Sequence, residues 1–272
     1  MTDSPYLCTI KSKLLEDMSK IALGTWAWGA GAFGGDAVFG SKTDVENLKP
    51  VFDAAMKAGL NLWDTATVYG MGESEHILGT LAKAVKREDV QISTKFTPQL
   101  AEMFDNNVEK MADASIERIG CGYIDIYWIH NPMDVERWTP GLIPLLQSGK
   151  VKRVGVSNHN IKEIQRANEI LGAAGFKVSA VQNHFSLLYR SSEKGGVTAI
   201  GQKYGASCSQ IGIALAIAKG TLPIIGATKE RHVIEAAEAA KIQLTAEEIS
   251  KLEALADVTG IDTRGGWEHS ME

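Results

Sequence analysis

Four ionisable residues stand at the ends of apolar runs, where a buried strand would meet its loop. Asp64 and Tyr69 follow the run at 60–63, Lys95 follows 90–94, and His130 follows 124–129. A phenol becomes a useful acid when a nearby cation favours its phenolate, and a buried lysine stays charged beside a carboxylate. Taken singly, Asp64 could be a helix cap, Lys95 a solvated strand end and His130 a packed core residue. Gathered in one pocket, the four predict proton-transfer chemistry.

Short apolar runs alternate with helical patterns along the whole chain. Strands are predicted at 20–24, 60–63, 90–94, 124–129, 153–156, 180–182 and 221–225. Helices are predicted at 43–58, 73–85, 106–119, 140–148, 161–171, 209–218 and 231–240. Strict alternation with strands that are apolar on both faces indicates a parallel sheet covered by helices, and seven such strands indicate an α/β barrel. We expect a single domain over residues 1–272, with residues 1–19 capping the bottom of the barrel.

Composition excludes several classes of partner. The chain has 272 residues, a formal net charge of -5 and no basic stripe, so a small-molecule partner is expected and a nucleic acid is not. Three widely spaced cysteines are typical of a reducing cytosol, and no histidine pair has metal-ligand spacing. Neither a leader peptide nor a long apolar run is present, so we expect a cytoplasmic protein without a membrane segment.

A glycine motif offers a rival interpretation of the fold. Gly29, Gly31 and Gly34 match the G-x-G-x-x-G pattern of dinucleotide-binding folds. In that pattern the glycines open a helix directly, and an acidic residue follows about twenty residues later. Here residues 35–42 intervene before the helix, and Asp64 comes later than the pattern requires. We therefore interpret residues 29–35 as a flexible loop beside the mouth of the site.

In their order and contexts, Asp64, Tyr69, Lys95 and His130 resemble the catalytic tetrad of the aldo-keto reductases. The segments 149–158, 180–186 and 223–231 are similar to that family's fifth-strand, sixth-strand and adenine-ribose motifs. The resemblance implies a (β/α)8 TIM barrel that reduces an aldehyde or ketone with NADPH and without a metal. It also implies that Tyr69 donates the proton, that Lys95 lowers the pKa of Tyr69, that Asp64 holds Lys95, and that His130 orients the carbonyl.

The same resemblance implies a cofactor site. Ser157, Asn158 and Gln182 would bind the nicotinamide carboxamide, and a helix start bearing Lys229 and Arg231 would favour the 2′-phosphate of NADPH over NADH. Lys229 and Arg231 could otherwise form an exposed first turn. The remaining residues expected at the cofactor are Thr25, Trp26, Asp64, Gly226, Thr228 and Glu235.

Three tryptophans lie near the predicted site. Trp26 is the better candidate for a pocket wall, because it comes directly after the first predicted strand. Trp63 and Trp128 flank catalytic positions within strands, and we interpret both as packing residues.

One part of the family pattern has no counterpart. Family members continue from the sixth strand into a helix, a seventh strand and a long loop, whereas residues 191–204 lead almost directly to the segment before the last strand. Val197, Ile200 and Tyr204 keep helical spacing and predict a helix there. Either the chain is shortened, or residues are missing from the sequence between Ser191 and Val197. Unpaired strand edges are an aggregation hazard, so we favour the second explanation and expect a chain break near residues 194–195.

An alternative function remains open. The same fold could serve as a nicotinamide-binding sensor or regulatory subunit with negligible turnover. The sequence specifies neither the physiological substrate nor the oligomeric state.

Overall fold

Among the described residues, one parallel sheet of seven strands forms the architecture. The computed structural model describes residues 19–183 and 197–257. The strands are β1 (Ala22–Gly24), β2 (Leu62–Asp64), β3 (Gln91–Phe96), β4 (Ile124–Ile129), β5 (Val151–Ser157), β6 (Ala180–Gln182) and β7 (Ile224–Gly226). Their order is β6-β5-β4-β3-β2-β1-β7, so each of the first six lies beside its neighbour in sequence and the last pairs with the first. This is the order of a β/α barrel, and the doubly wound alternative is wrong because that fold reverses its strand order at a switch point.

Helices connect the strands. They are α1 (Gly35–Phe39), α2 (Val45–Lys57), α3 (Glu73–Ala82), α4 (Pro98–Met103), α5 (Val108–Ile119), α6 (Val135–Trp138), α7 (Leu142–Gln147), α8 (Ile161–Gly172), α9 (Val197–Tyr204), α10 (Cys208–Ala218), α11 (Glu230–Ala239) and α12 (Ala246–Asp257). Several starts are set by side-chain caps: Asp44, Asn160 and Ser207 each form a reciprocal capping box with the residue three positions later.

The two faces of the sheet bury different side chains. On the outer face, a large apolar core joins strand residues such as Leu23, Trp63 and Ile92 to α2, α3 and α5. The inner face has a smaller cluster of Ala22, Leu62, Ile126 and Trp128. Because side chains alternate along a strand, the residues that share the inner face with this cluster line the interior of the barrel.

The place of a seventh barrel strand stays open in the described part of the chain. β6 and β7 form the two edges of the sheet, and the described residues supply no strand between them. The helix expected from the spacing of Val197, Ile200 and Tyr204 is present as α9, which packs with α10 and α12. Residues 184–196, where the chain break near residues 194–195 was expected, lie outside the described residues.

Several local predictions need correction or fall outside the description. The loop expected at 29–35 ends in the short helix α1, and α4, α6 and α12 were not predicted. Residues 1–18, expected to cap the barrel, lie outside the described residues.

No described helix is long and apolar enough to span a bilayer. Within the described residues, no cluster of potential metal ligands occurs, and Cys121 and Cys208 are free thiols.

Candidate active site

A buried ion pair lies at the centre of the site. Lys95, one residue before the end of β3, is fully buried, and its Nζ lies 2.5 Å from Asp64 Oδ2 at the end of β2. Nζ also donates to the carbonyl oxygen of Thr65 at 2.7 Å. Burial works to lower the pKa of Lys95, but the charge of Asp64 and the phenol of Tyr69 outweigh it, so the pKa is raised. Lys95 is therefore a cation held below the surface.

Tyr69 lies above this pair, at the start of the tight turn Tyr69–Gly72. Lys95 Nζ is 5.2 Å from the centre of its ring. Burial raises the pKa of Tyr69 and outweighs the opposing effect of Lys95, so the net shift is upward. Lys95 thus acts on the pKa of Tyr69 in the expected direction, although burial has the larger effect. The phenol is protonated at neutral pH, as a proton donor requires.

His130 meets the tyrosine edge-on. The two ring centres are 5.9 Å apart, at an interplanar angle of 80°. Burial, together with the charge of Lys95, lowers the pKa of His130 to about 3, so the imidazole is neutral. Its Nδ1 lies 3.2 Å from the hydroxyl oxygen of Thr97. Sequence reasoning missed Thr97, although its place two residues after Lys95 is a signal for a role at the site.

The turn that carries Tyr69 has an unusual backbone. Gly70, Met71 and Gly72 all have positive φ, at 60°, 53° and 98°. Such a conformation is costly for methionine and persists only when surrounding contacts enforce it. A side chain at position 70 would lie 2.8 Å from the carbonyl oxygen of Ala30. The turn is thus closely packed against the glycine loop.

A second ion pair anchors that turn from outside the sheet. Arg118 on α5 donates from Nε to Glu75 Oε2 at 2.7 Å, and Glu75, on α3, is fully buried. The same guanidinium reaches Thr67, two residues before Tyr69, at 3.4 Å. Thr94 on β3 also donates to Glu75, at 2.6 Å. Sequence reasoning missed this cluster, although an acid on the apolar face of a helix was a visible signal.

The residues expected at the nicotinamide lie beside the ion pair. Ser157 ends β5 and Asn158 follows it, and the Asn158 amide donates to the carbonyl oxygen of His130 at 2.9 Å. Gln182 ends β6 and donates to Asp64 Oδ1 at 3.3 Å. These hydroxyl and amide groups have the donors and acceptors that a primary carboxamide needs.

Thr25 and Trp26 occupy the first loop. The Thr25 hydroxyl is buried, accepts from Ser74 at 2.7 Å, and lies 3.3 Å from the Asp64 carbonyl oxygen. These hydrogen bonds tie the first loop to Ser74 and to the end of β2. The Trp26 ring stacks on Tyr69, with centres 5.6 Å apart. Trp26 thus forms a wall beside the proposed proton donor.

The remaining predicted cofactor residues lie on the other side of the sheet opening. Gly226 ends β7, Thr228 follows it, and Arg231 and Glu235 lie on α11. Lys229 is the N-cap of α11 and makes no side-chain capping bond. The first turn of a helix leaves backbone N–H groups without intrahelical partners, and these groups favour anions. The donors present here fit a phosphate.

Comparison with known proteins agrees with this geometry. The sequence model of the aldo/keto reductase family matches residues 20–205. The chain is 28% identical over 214 residues to the chloroplastic pyridoxal reductase of Arabidopsis thaliana, covering 73% of this chain and 55% of that protein. It is 31% identical over 172 residues to an NADP(+) aldo-keto reductase, yakc, of Schizosaccharomyces pombe, covering 59% of this chain and 49% of that protein. The chain spans about half the length of the curated relatives it matches.

Solved structures show the same fold. An aldo-keto reductase from Klebsiella pneumoniae in complex with NADPH superposes with a TM-score of 0.74 at 22% identity, over 93% of this chain and 95% of that one. An aldo-keto reductase of the silkworm Bombyx mori gives a TM-score of 0.68 at 21% identity, over 87% and 83%.

Proposed function

Because the chain belongs to the aldo/keto reductase family, we propose that it is an oxidoreductase that reduces an aldehyde or ketone to an alcohol with NADPH. The observation that carries the proposal is the buried Lys95–Asp64 pair placed beneath Tyr69, with the neutral His130 ring against the same phenol. A buried cation beside a phenol serves proton donation, since it stabilises the phenolate that remains.

Each residue of the site has a separate task. Tyr69 donates the proton to the carbonyl oxygen, and Lys95 stabilises the resulting phenolate. Asp64 keeps Lys95 charged and in place. His130, neutral and partly buried, orients and polarises the carbonyl by hydrogen bonding. Bound NADPH would supply the hydride.

The cofactor choice rests on the residues around α11. Lys229 and Arg231 bring two positive charges to a helix start, where a 2′-phosphate would make charge-assisted contacts. Among similar proteins, one solved structure contains NADPH and one relative is named for NADP(+). Ser157, Asn158 and Gln182 would bind the carboxamide at the opposite end.

A regulatory or sensor protein on this fold is the second candidate. It is favoured by one observation: the described sheet has two unpaired edges, β6 and β7, and both carry predicted cofactor residues. Such a protein would bind the cofactor yet turn over negligibly.

Steady-state oxidation of NADPH with a panel of aldehydes and ketones tests the proposal. We expect carbonyl-dependent turnover in the parent, and its loss in Tyr69→Phe with NADPH binding retained, because the substitution removes only the donated proton. Titration of NADPH fluorescence would measure the binding. A parent protein that binds NADPH but reduces none of the panel would support the sensor, and a Tyr69→Phe variant as fast as the parent would refute the role of Tyr69.

A further inference from the structure

A hydrogen-bond chain reaches Asp64 from behind the site. The indole N–H of Trp128 donates to Ser93 Oγ at 2.6 Å, and the Ser93 hydroxyl donates to Asp64 Oδ1 at 2.7 Å. All three side chains are buried. Ser93 pairs with Asp64 between β3 and β2, and Trp128 pairs with Lys95 between β4 and β3. The chain therefore crosses the inner face of three neighbouring strands.

The order of donors and acceptors in this hydrogen-bond chain is fixed. An indole N–H donates and cannot accept, whereas a carboxylate accepts and cannot donate. The Ser93 hydroxyl has one hydrogen, which could point either way if the serine stood alone. Because Trp128 supplies a donor, the serine oxygen accepts there and directs its own hydrogen to Asp64. Trp128 thus ensures that Ser93 donates its hydroxyl hydrogen to the Asp64 carboxylate.

This arrangement assigns each carboxylate oxygen its own partners. Oδ1 accepts from Ser93 and, at 3.3 Å, from Gln182, while Oδ2 receives the Lys95 ammonium at 2.5 Å. Rotation of the carboxylate would break both sets of contacts. Lys95 Nζ is consequently held where it reaches Tyr69.

The position of the Trp128 ring depends on a glycine. Gly155 on β5 pairs with Trp128 in the sheet, and a side chain there would come within 2.3 Å of a ring carbon of the indole. Only glycine leaves room for the ring as it lies. The interpretation of Trp128 as a packing residue is thus incomplete, because its N–H also takes part in the chain.

We propose that Trp128 and Ser93 are positioning residues that hold the Asp64 carboxylate, and through it Lys95, in the geometry that proton donation by Tyr69 requires. This inference rests on the proposed function. Both residues act through Asp64 without touching the substrate.

Four variants test the proposal: Trp128→Phe, Ser93→Ala, the double variant, and Ser93→Thr, which keeps a hydroxyl. Trp138→Phe is the matched control, because it also trims a buried tryptophan, whose indole N–H has no partner among the described residues. We expect each of the first two changes to lower kcat on the order of tenfold, since small misplacements of reacting groups are costly. The double variant should lose no more than Ser93→Ala alone, because Trp128 acts only through Ser93. Ser93→Thr should recover most of the rate, and Trp138→Phe should match the parent.

A second readout needs neither cofactor nor turnover. Ionisation of Tyr69 is followed by ultraviolet absorbance against pH, as the difference between each protein and its Tyr69→Phe counterpart. Lys95 lowers the pKa of Tyr69, so loosening Lys95 should move this ionisation to higher pH in Trp128→Phe and Ser93→Ala. It should not move in the control.

The outcomes distinguish failure of the positioning role from failure of the proposed function. Additive losses of kcat in the double variant, or an ionisation of Tyr69 that stays in place in Ser93→Ala, would overturn the positioning role. If the parent shows no turnover at all, the proposed function fails. The ionisation of Tyr69 still decides whether the hydrogen bonds of Trp128 and Ser93 position Lys95.

Discussion

Replacing Lys95 with methionine tests two roles of this residue separately: its contribution to the free energy of unfolding and its contribution to the reaction rate. Methionine preserves much of the length of the side chain but removes its charge, so the Asp64 carboxylate is left without a counter-ion. The two side chains are 0% and 6% exposed. Breaking a buried pair from one side costs about 3–5 kcal/mol, because the remaining charge stays uncompensated. Ser93 and Gln182 still donate to Asp64, so we expect a loss near the lower limit, about 3 kcal/mol.

The pH dependence of this loss has a definite sign. The folded-state pKa of Lys95 is raised above its ordinary value of 10.5. A raised lysine pKa stabilises the folded protein fully below the unfolded-state value, and this stabilisation disappears as the pH rises through the folded-state value. The difference in free energy of unfolding between parent and Lys95→Met should therefore be constant through neutral pH. It should shrink as the pH rises through the folded-state value of Lys95, in strongly alkaline solution.

Urea unfolding at several pH values measures the loss, and carbonyl-dependent oxidation of NADPH measures the rate. The matched control is Asp64→Asn combined with Lys95→Met, which removes both charges. This double variant should recover part of the stability and none of the turnover, since the phenolate of Tyr69 still lacks its cation. A loss below about 1 kcal/mol in Lys95→Met, the range of exposed pairs, would refute the reasoning about burial. Turnover near that of the parent would refute the role of Lys95.

Three further outcomes are expected. Changing Lys229 and Arg231 together to alanine should reduce the preference for NADPH over NADH, and the preference of the parent should weaken at high salt; an unchanged affinity ratio would move the phosphate site elsewhere. Because the pKa of His130 is about 3, a plot of kcat/KM against pH should show no ionisation of this residue near neutrality, and a break near neutral pH that His130→Gln removes would contradict this. Arg118→Met should lower the free energy of unfolding by about 3 kcal/mol, because it leaves the carboxylate of Glu75 buried without its cation; recovery in a variant that also carries Glu75→Gln would support this cause, and urea unfolding measures both.

Much of the fold followed from periodicity in the sequence. Apolar runs and helical spacing predicted seven strands close to their observed places, including the identical bounds of β4 and β6. The helix at Val197–Tyr204 was also predicted, since Val197 and Ile200 keep a helical spacing and are buried against α10 and α12. Short helices such as α1 and α6 were missed, because four or five residues are too few to show a period.

The site was predictable where chemistry is visible in residue types. Asp64, Tyr69, Lys95 and His130 come together as expected, although their catalytic roles stay a proposal. The supporting contacts were not predictable, because they join strands and helices distant in sequence. No local pattern reveals that the Trp128 indole reaches Ser93, or that Arg118 reaches Glu75. The net rise in the pKa of Tyr69 also depends on three-dimensional burial, which a list of neighbouring charges does not give.

The place left open in the described part of the sheet affects the two halves of the site unequally. The proton-transfer residues come from β2, β3 and β4 and the loops after them, and these strands lie in the middle of the sheet with partners on both sides. The predicted cofactor residues Gln182 and Gly226 instead end β6 and β7, which are the two edge strands among the described residues. An edge strand has one hydrogen-bonded neighbour, so its end is held less firmly than that of a central strand. Weak organisation at this opening would therefore reduce the affinity for NADPH before it disturbed the geometry around Tyr69. Weak cofactor binding with normal ionisation of Tyr69 would indicate that the opening between β6 and β7 is weakly organised. An altered ionisation of Tyr69 would instead place the defect in the Lys95–Asp64 ion pair.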